Sequence, residues 1–145
     1  MTEPSPARPV RVLFVCVENS NRSQMAEAFA RMHGGSRVEA HSAGSRPAGP
    51  VNPRAVAFMR EVGYDLTAHR SKALSDLPAG EYEVAVTMGC GDGCPMVRAR
   101  RREEWAIPDP KHLSGDEFRA VRDLIAQKVK GLLGTLPGSS GGGPG

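Results

Sequence analysis

The chain has 145 residues, of which 39% are hydrophobic and 24% are charged, and its formal net charge is +3. This composition is typical of one globular domain with a single hydrophobic core. The first apolar run is too short for a secretory signal, and no stretch approaches the ~20 apolar residues of a membrane span. We therefore expect a cytoplasmic protein that contacts no membrane, and a monomer.

The two ends of the chain differ in composition from its middle. Residues 1–9 are polar and rich in proline, and residues 137–145 consist only of Gly, Ser and Pro. Such segments bury too little apolar surface to fold. We expect a single domain over residues 10–136, flanked by flexible tails at 1–9 and 137–145.

The first third of the chain predicts a strand, a tight turn and a helix in direct succession. The apolar, β-branched run 10–15 is typical of a strand buried on both faces of a parallel sheet. A polar turn over 16–21 follows. From Arg22 onwards apolar residues recur at helical spacing until Gly34 and Gly35 end the helix; they are Met25, Ala28, Phe29 and Met32.

Strands and helices continue to alternate along the rest of the chain. Residues 37–43 alternate between apolar and polar side chains like a second strand, and residues 54–62 predict a helix that begins at Asn52 or Pro53. Two more strands are predicted, a buried one over 83–88 and a short one over 103–107.

The last helix has the clearest start signal in the sequence. Ser114 suits an N-cap, and Glu117 stands three residues later, as in a capping box. The helix places its apolar residues on one face; they are Phe118, Val121, Leu124, Ile125, Val129, Leu132 and Leu133.

Alternating strands and helices predict an α/β fold, a three-layer α/β/α sandwich around a four-stranded parallel sheet. In such sheets ligands bind beyond the carboxyl ends of the strands. Cys16, Ser42, Cys90 and Asp109 each lie at or just after the end of a predicted strand. We expect these four residues to gather at one rim of the sheet.

The turn after the first strand has the pattern of an oxyanion site, because five residues separate Cys16 from Arg22 at a helix N-terminus. Backbone N–H groups of such a turn form an anion nest, and a guanidinium binds a tetrahedral oxyanion in bidentate fashion. The same positive field favours a nucleophilic thiolate on Cys16. The alternatives are a buried structural cysteine and a surface arginine. The predicted substrate-binding residues are Val17, Glu18, Asn19, Ser20, Asn21, Arg22 and Ser23.

Two residues of this turn have an additional predicted role. Ser23 is placed to donate a hydrogen bond to the Cys16 sulfur. Asn19 is expected to hold the loop in shape, since Asn readily bonds neighbouring backbone groups. We expect Asn19 to support the loop as well as bind substrate.

The segment VLFVCVENSNRSQMAEAF resembles the signature of the low-molecular-weight tyrosine phosphatase family, and more closely its arsenate reductase branch. The resemblance extends over residues 10–133 and includes HSAGS at 41–45 and VTMGC at 86–90. It implies that Cys16 attacks phosphate or arsenate, that Arg22 binds it and that Asp109 protonates the leaving oxygen. The other interpretation of Asp109, which precedes a proline, is a turn starter. Asp92 and Asp116 are weaker candidates for the acid.

Two further cysteines distinguish a reductase from a phosphatase, because arsenate reduction consumes two electrons that thiols can supply. The resemblance implies that Cys90 attacks the Cys16–arsenic adduct and that Cys94 then attacks Cys90 and frees Cys16. The spacing of Cys90 and Cys94 allows a disulfide across one helical turn, and it is also compatible with zinc. No histidine has a ligand-like spacing to this pair, so we expect no metal and no cofactor.

The reductant and the ion requirement follow from departures from the family pattern. The loop between Cys90 and Cys94 is shorter than in the best-known thioredoxin-coupled members, which leaves two reductants open. Thioredoxin is the expected one, and a low-molecular-weight thiol such as mycothiol is the alternative. Some members bind potassium through Asn, Glu, Ser and Asp. Asn19, Glu27 and Ser42 match these ligands, but Lys72 stands in place of the acid. We expect its ammonium group to replace the ion; the alternative is a solvated surface lysine.

The sequence therefore predicts an arsenate reductase, with phosphate or sulfate as competing anions. The alternatives are a low-molecular-weight phosphatase and a non-catalytic oxyanion or redox sensor that signals through a Cys90–Cys94 disulfide. The basic run 98–102 has no interleaved aromatic residues, which argues against nucleic acid and for a solvated loop or a docking surface for an acidic partner. Trp105 is expected in the core or in a strand.

Overall fold

The computed structural model describes residues 9–47, 49–88 and 97–136. Its four strands form one sheet of order β2-β1-β3-β4, and every neighbouring pair is parallel. The strands are β1 (Val10–Cys16), β2 (Val38–Gly44), β3 (Tyr82–Thr87) and β4 (Ala99–Glu104). The helices are α1 (Arg22–Gly34), α2 (Pro53–Arg60) and α3 (Gly115–Leu133). The predicted α/β fold around a four-stranded parallel sheet is confirmed.

The central position of β1 explains its unbroken apolar sequence. Val12 and Phe14 belong to the large core that the three helices cover, whereas Leu13 and Val15 belong to a smaller core on the opposite face. All four side chains are fully buried. A strand with both faces covered has no position for a polar residue, and β1 accordingly has none between Val12 and Val15.

Helix α1 packs against β1 and α3 and carries the loop of interest at its N-terminus. It ends at Gly34, and its C-cap Gly35 has φ 55°, a conformation that favours glycine. This end of the helix agrees with the predicted stop. The predicted apolar face is shorter than expected, since Met32 is 38% exposed.

The caps predicted for the other two helices are present. The Asn52 side chain accepts a hydrogen bond from the backbone N–H of Arg54 at 2.8 Å and begins α2. Ser114 and Glu117 form the reciprocal capping box at the start of α3. Across residues 9–47, 49–88 and 97–136, no helix is sufficiently long and apolar to cross a membrane.

The predicted fourth strand is misplaced, because β4 spans Ala99–Glu104 rather than 103–107. The basic run, which the sequence suggested to be a loop, therefore lies largely within a strand. β4 is an edge strand, and its charged side chains alternate between half-buried and exposed positions. Backbone hydrogen bonds to β3 make this segment a strand. A hydrophobic pattern in the sequence does not reveal such pairing. Trp105, directly after β4, is buried against Phe14, at 5.9 Å between ring centroids.

Replacing the cap residue of α3 should destabilise the fold without touching the loop after β1. We expect Ser114→Ala to lower the free energy of unfolding by about 1 kcal/mol, because an orphan helix N–H loses its acceptor. Urea denaturation followed by circular dichroism measures this change. Ser75→Ala, at an exposed serine, is the matched control and should leave the midpoint within error. Equal midpoints for both variants would contradict a stabilising role for the cap.

Candidate active site

Cys16 lies at the floor of a pocket of about 390 Å³ at the carboxyl end of β1. The Cys16 residue is only 3% exposed. The described residues that line the pocket come from the loop after β1 and from the segment after β4; they are Cys16, Val17, Glu18, Ser20, Asn21, Arg22, Asp109 and Lys111. The site therefore lies where parallel sheets bind their ligands.

The carbonyl groups of the loop are held by neighbouring segments that do not line the pocket. Val17 O accepts from Arg46 N at 2.9 Å, and Ser20 O accepts from Asn52 N at 3.0 Å. Asn19 O accepts from the Ser71 hydroxyl at 2.8 Å.

Each anchored carbonyl determines the direction of the next N–H. In a trans peptide the N–H of the following residue is directed opposite to the carbonyl. The N–H groups of Glu18, Ser20 and Asn21 are thereby turned away from the anchoring segments, and these same three residues line the pocket. Such a row of inward N–H groups is an anion nest.

Gly44 allows β2 to support this loop at close range. A Cβ atom at this position would lie 2.5 Å from Val17 O and 3.0 Å from Asn19 N. Any larger residue would push the loop backbone toward the pocket. The Gly44 N–H is itself bound to Lys72 O at 2.8 Å, which ties β2 to the segment after α2.

Arg22, the first residue of α1, is held at the pocket by the segment that follows β4. Its Nη1 donates to Ile107 O at 3.1 Å, and its Nη2 lies 3.8 Å from Asp109 Oδ2. The Arg22 side chain is 12% exposed, which argues against a surface arginine, whereas that of Asp109 is 53% exposed. Asp109 also accepts from Lys111 N at 3.0 Å and caps the short helical turn Pro110–His112. The Asp109 carboxylate therefore both starts this turn and lies near Arg22 at the pocket.

Asn19 and Ser23 lie behind the nucleophile rather than in the pocket. Ser23 Oγ is 2.8 Å from Cys16 Sγ, and Asn19 Nδ2 donates to Ser23 Oγ at 2.8 Å. Since that oxygen accepts from Asn19, the Ser23 hydroxyl hydrogen is available to the sulfur. Both residues are fully buried and do not line the pocket, so they support the nucleophile instead of binding a substrate directly.

The backbone of Asn19 is in the left-handed region, with φ 53°, and it is the one described non-glycine residue with positive φ. Its side chain compensates for this conformation. Asn19 Oδ1 accepts from Lys72 N at 2.8 Å and from Gln24 Nε2 at 3.0 Å. These hydrogen bonds support the predicted role of Asn19 in shaping the loop.

A second buried group of charges surrounds Glu27 on α1. Ser42, which was expected at the pocket rim, instead donates to Glu27 Oε1, because its β2 position faces α1 and pairs with Phe14 two residues before the strand end. Glu27 is 1% exposed and forms an ion pair with Arg31. Lys72 Nζ lies 3.7 Å from Glu27 Oε1.

Lys72 is not a plain surface lysine, since its side chain is 17% exposed. Burial lowers the pKa of Lys72 from its ordinary value, and the neighbouring Glu27 carboxylate acts in the opposite direction. Its ammonium also donates to Arg70 O at 3.1 Å. The Lys72 ammonium therefore lies beside the carboxylate of Glu27, one of the residues that the resemblance suggests as an ion ligand.

Sequence reasoning missed two parts of the site. Gln24, His69 and Ser71 form the buried frame behind Asn19, but a polar residue in the first turn of a helix or in an irregular segment gives no pattern to detect. Lys111 lies 3.7 Å from Glu18 across the mouth of the pocket, and both side chains are nearly half exposed. Only the tertiary structure brings these two charges together.

Four other predicted residues are not among the described residues that line the pocket. Cys90, Cys94 and Asp92 lie outside the described residues, so their roles stay predictions. Asp116 pairs with Arg119 on the exposed side of α3, at 3.1 Å. In the described part of the chain, no three or more His, Cys, Asp or Glu residues form a group that could hold a metal ion.

The chain is similar to known proteins over most of its length. Residues 11–139 match the family model described as low molecular weight phosphotyrosine protein phosphatase. The chain belongs to this family. The resemblance noted from the sequence is confirmed, including its arsenate reductase branch.

Relatives of this chain include arsenate reductases of more than one kind. The glutaredoxin arsenate reductase of Synechocystis is 36% identical over 87% of this chain and 98% of its own length. A solved arsenate reductase in the oxidized state is 36% identical, with a TM-score of 0.76 over 84% of this chain and 95% of that one. The thioredoxin-dependent arsenate reductase of Corynebacterium glutamicum is 32% identical, with a TM-score of 0.67 over 88% of this chain and 62% of that one.

The Ser23 hydroxyl should determine part of the reactivity of Cys16. With Cys90 and Cys94 replaced by serine, so that Cys16 alone reacts, we expect Ser23→Ala to slow alkylation by iodoacetamide about threefold to tenfold below neutral pH. The reason is the loss of one hydrogen bond to the thiolate, worth about 1 kcal/mol.

Ser20→Ala provides the matched control for this measurement. Ser20 belongs to the same loop and lines the pocket, but its hydroxyl donates to Glu18 Oε1 at 3.5 Å and not to the sulfur. The control should alkylate at the rate of the parent. Equal slowing in both variants would show that the loop as a whole, rather than the Ser23 hydroxyl, activates the sulfur.

Proposed function

We propose that this protein is an arsenate reductase in which Cys16 is the nucleophile and Cys90 and Cys94 carry the resulting oxidation away. The observation that carries the proposal is the buried Cys16 sulfur in a pocket that Glu18, Ser20, Asn21 and Arg22 also line, in a chain similar to arsenate reductases over most of its length. A pocket with these donors fits a small tetrahedral oxyanion. Phosphate and sulfate have the same shape and are expected competitors.

The first step forms a bond between sulfur and arsenic. The Cys16 thiolate attacks the arsenic of arsenate, and one arsenate oxygen leaves as water after it takes a proton from Asp109. Arg22 and the loop N–H groups bind the remaining oxygens and stabilise the charge that develops on them. Arsenic is still pentavalent in this adduct.

The second step transfers two electrons. The Cys90 thiolate attacks the Cys16 sulfur, so that a Cys16–Cys90 disulfide forms while the sulfur–arsenic bond breaks. The bonding pair stays on arsenic, which leaves as arsenite. Cys94 then attacks Cys90, frees the Cys16 thiolate and leaves a Cys90–Cys94 disulfide. Two thiols are oxidised and one arsenate is reduced, so the electrons balance.

The oxidised protein requires an external dithiol or thiol reductant. We propose thioredoxin, in line with the thioredoxin-dependent relative of C. glutamicum, and a low-molecular-weight thiol such as mycothiol as the alternative. The protein is proposed to act as a cytoplasmic monomer without nucleic acid, membrane or resident cofactor. The basic side chains of β4 are the proposed surface for an acidic reductant protein.

The discriminating experiment measures arsenate-dependent oxidation of NADPH in the presence of thioredoxin and thioredoxin reductase. We expect the wild type to turn over and Cys90→Ser to be inactive, because the adduct cannot be resolved without a second thiol. Cys16→Ser should be inactive as well. Hydrolysis of an aryl phosphate by the same proteins separates reductase from phosphatase, since phosphatase activity needs only Cys16.

Two results would decide against the proposed reaction. If Cys90→Ser reduces arsenate as fast as the wild type, the relay does not exist. If the wild type fails with thioredoxin and with a small thiol but hydrolyses the aryl phosphate, the protein is a phosphatase. Turnover with the small thiol alone would retain the reaction and change its reductant.

Arsenate reduction should not require potassium, because the Lys72 ammonium lies 3.7 Å from Glu27. We expect equal rates in potassium and sodium chloride at matched ionic strength. Lys72→Asp removes this cation and adds a carboxylate, so that variant should become potassium-dependent. A wild-type rate that rises specifically with potassium would contradict the substitution of the ion by lysine.

A further inference from the structure

A continuous line of hydrogen bonds runs from Tyr64, after α2, to the frame behind the nucleophile. The Tyr64 hydroxyl lies 2.8 Å from His69 Nε2, and His69 Nδ1 lies 2.9 Å from Gln24 Oε1. Gln24 Nε2 lies 3.0 Å from Asn19 Oδ1, and Asn19 leads through Ser23 to Cys16. The mechanism above uses only the last part of this line.

The proton positions near Cys16 follow from groups that can only donate or only accept a hydrogen bond. The backbone N–H of Lys72 can only donate, so the atom of Asn19 that faces it is the amide oxygen. The amide nitrogen of Asn19 therefore faces Ser23. This leaves the Ser23 hydroxyl hydrogen for the Cys16 sulfur.

The same argument determines the protonation of His69. Gln24 Nε2 faces three acceptors, namely Asn19 O, Asn19 Oδ1 and Arg70 O, so the Gln24 oxygen must be the atom that faces His69. His69 Nδ1 must then carry a hydrogen. In the neutral ring Nε2 is an acceptor, and the Tyr64 hydroxyl is its donor.

The surroundings of His69 favour the neutral ring. Its side chain is 6% exposed, and burial lowers the pKa of His69 below its ordinary value. Glu27 and Asp65 act against this shift, whereas Arg31 and Lys72 act with it. Because the pKa is lowered, the neutral ring and its hydrogen bonds persist at neutral pH and are lost only as the pH falls through that lowered value.

We propose that Tyr64 is a positioning residue for the Cys16 nucleophile: its hydroxyl holds the His69 ring at Nε2, so that the Nδ1–H of the ring stays on Gln24, and Gln24 and Asn19 keep the orientation that the sulfur requires. This inference rests on the proposed function in one respect, that Cys16 is the nucleophile. Tyr64 does not line the pocket and touches none of the reacting atoms. It acts through four intervening side chains.

Loss of the Tyr64 hydroxyl has a specific consequence for this line. Nε2 of His69 loses its donor, and the ring is then held only by its Nδ1–H bond to Gln24. A ring held at one end can turn away from Gln24. The Gln24 amide is then free to rotate, which removes a donor from Asn19. The phenyl ring itself still packs edge-on against His69, at 5.5 Å between centroids, so Tyr64→Phe should fold.

The test compares Tyr64→Phe with Tyr82→Phe in full-length protein whose Cys90 and Cys94 are serine. Tyr82 is the matched control because its buried hydroxyl has no hydrogen-bond partner among the described residues. The measurement is the rate of Cys16 alkylation by iodoacetamide against pH. We expect the midpoint to rise by about half a unit to one unit in Tyr64→Phe, with about threefold to tenfold slower alkylation below the midpoint, and no change in Tyr82→Phe.

A merely structural role of Tyr64 would leave the alkylation midpoint where it is. An unchanged midpoint in folded Tyr64→Phe, or the same rise in Tyr82→Phe, would overturn the proposal. The readout needs no arsenate turnover. Failure of arsenate reduction in the wild type would therefore refute the proposed function while the effect of Tyr64 on Cys16 is still measured.

A second measurement uses the unaltered protein and does not depend on a variant. Long-range ¹H–¹⁵N spectra at pH 7.5 distinguish the tautomers of each imidazole, and His69→Gln identifies the signals of His69 by their loss. We expect a neutral ring protonated on Nδ1. A ring protonated on Nε2, or a cationic ring, would overturn the proposal.

Discussion

The hydrogen bonds that hold the loop after β1 from outside are the constraint on which the site depends. Arg46, Asn52 and Ser71 bind the loop carbonyls from three different segments, and each carbonyl so held turns the next N–H toward the pocket. An isolated peptide of this sequence has no such partners. The anion nest is therefore a property of the sheet rim and of the segments packed around it, although its donors belong to a few consecutive residues.

Asn19 holds the loop in this shape through both its backbone conformation and its side-chain hydrogen bonds. A left-handed backbone is unfavourable for residues with a side chain, but Asn tolerates it better than most and its amide can bond on both sides. Here the amide connects the irregular segment around Lys72 with Gln24 and Ser23 on α1. Buried polar groups of this kind are costly unless all are paired. The irregular segment is thus as necessary to the site as the helix.

The charges around the pocket favour a small anion over a large one. Arg22 is directed into the pocket, whereas Glu18 and Lys111 face each other across its mouth. None of the described residues that line the pocket is aromatic, so no ring is available there to stack on a tyrosyl group. The negative charge of Glu18 in the loop also opposes a second acidic group beside the bound oxyanion. These features agree with the proposed inorganic substrate.

The residues that form β1, the loop and the helix caps could be predicted because each interaction is local. A strand buried on both faces needs an unbroken apolar run, a nest needs a turn before a helix, and Ser114 and Glu117 cap each other within one turn. The edge strand β4 could not be predicted in this way, because only backbone pairing with β3 makes Arg100–Arg102 a strand. Nor could the line from Tyr64 to Asn19, whose members are distant in sequence and share no periodicity. The sequence by itself determined which chemical groups the protein has beside Cys16. The tertiary structure alone decided which protons of those groups face the sulfur, because the orientation of each group depends on hydrogen-bond partners from separate segments of the chain.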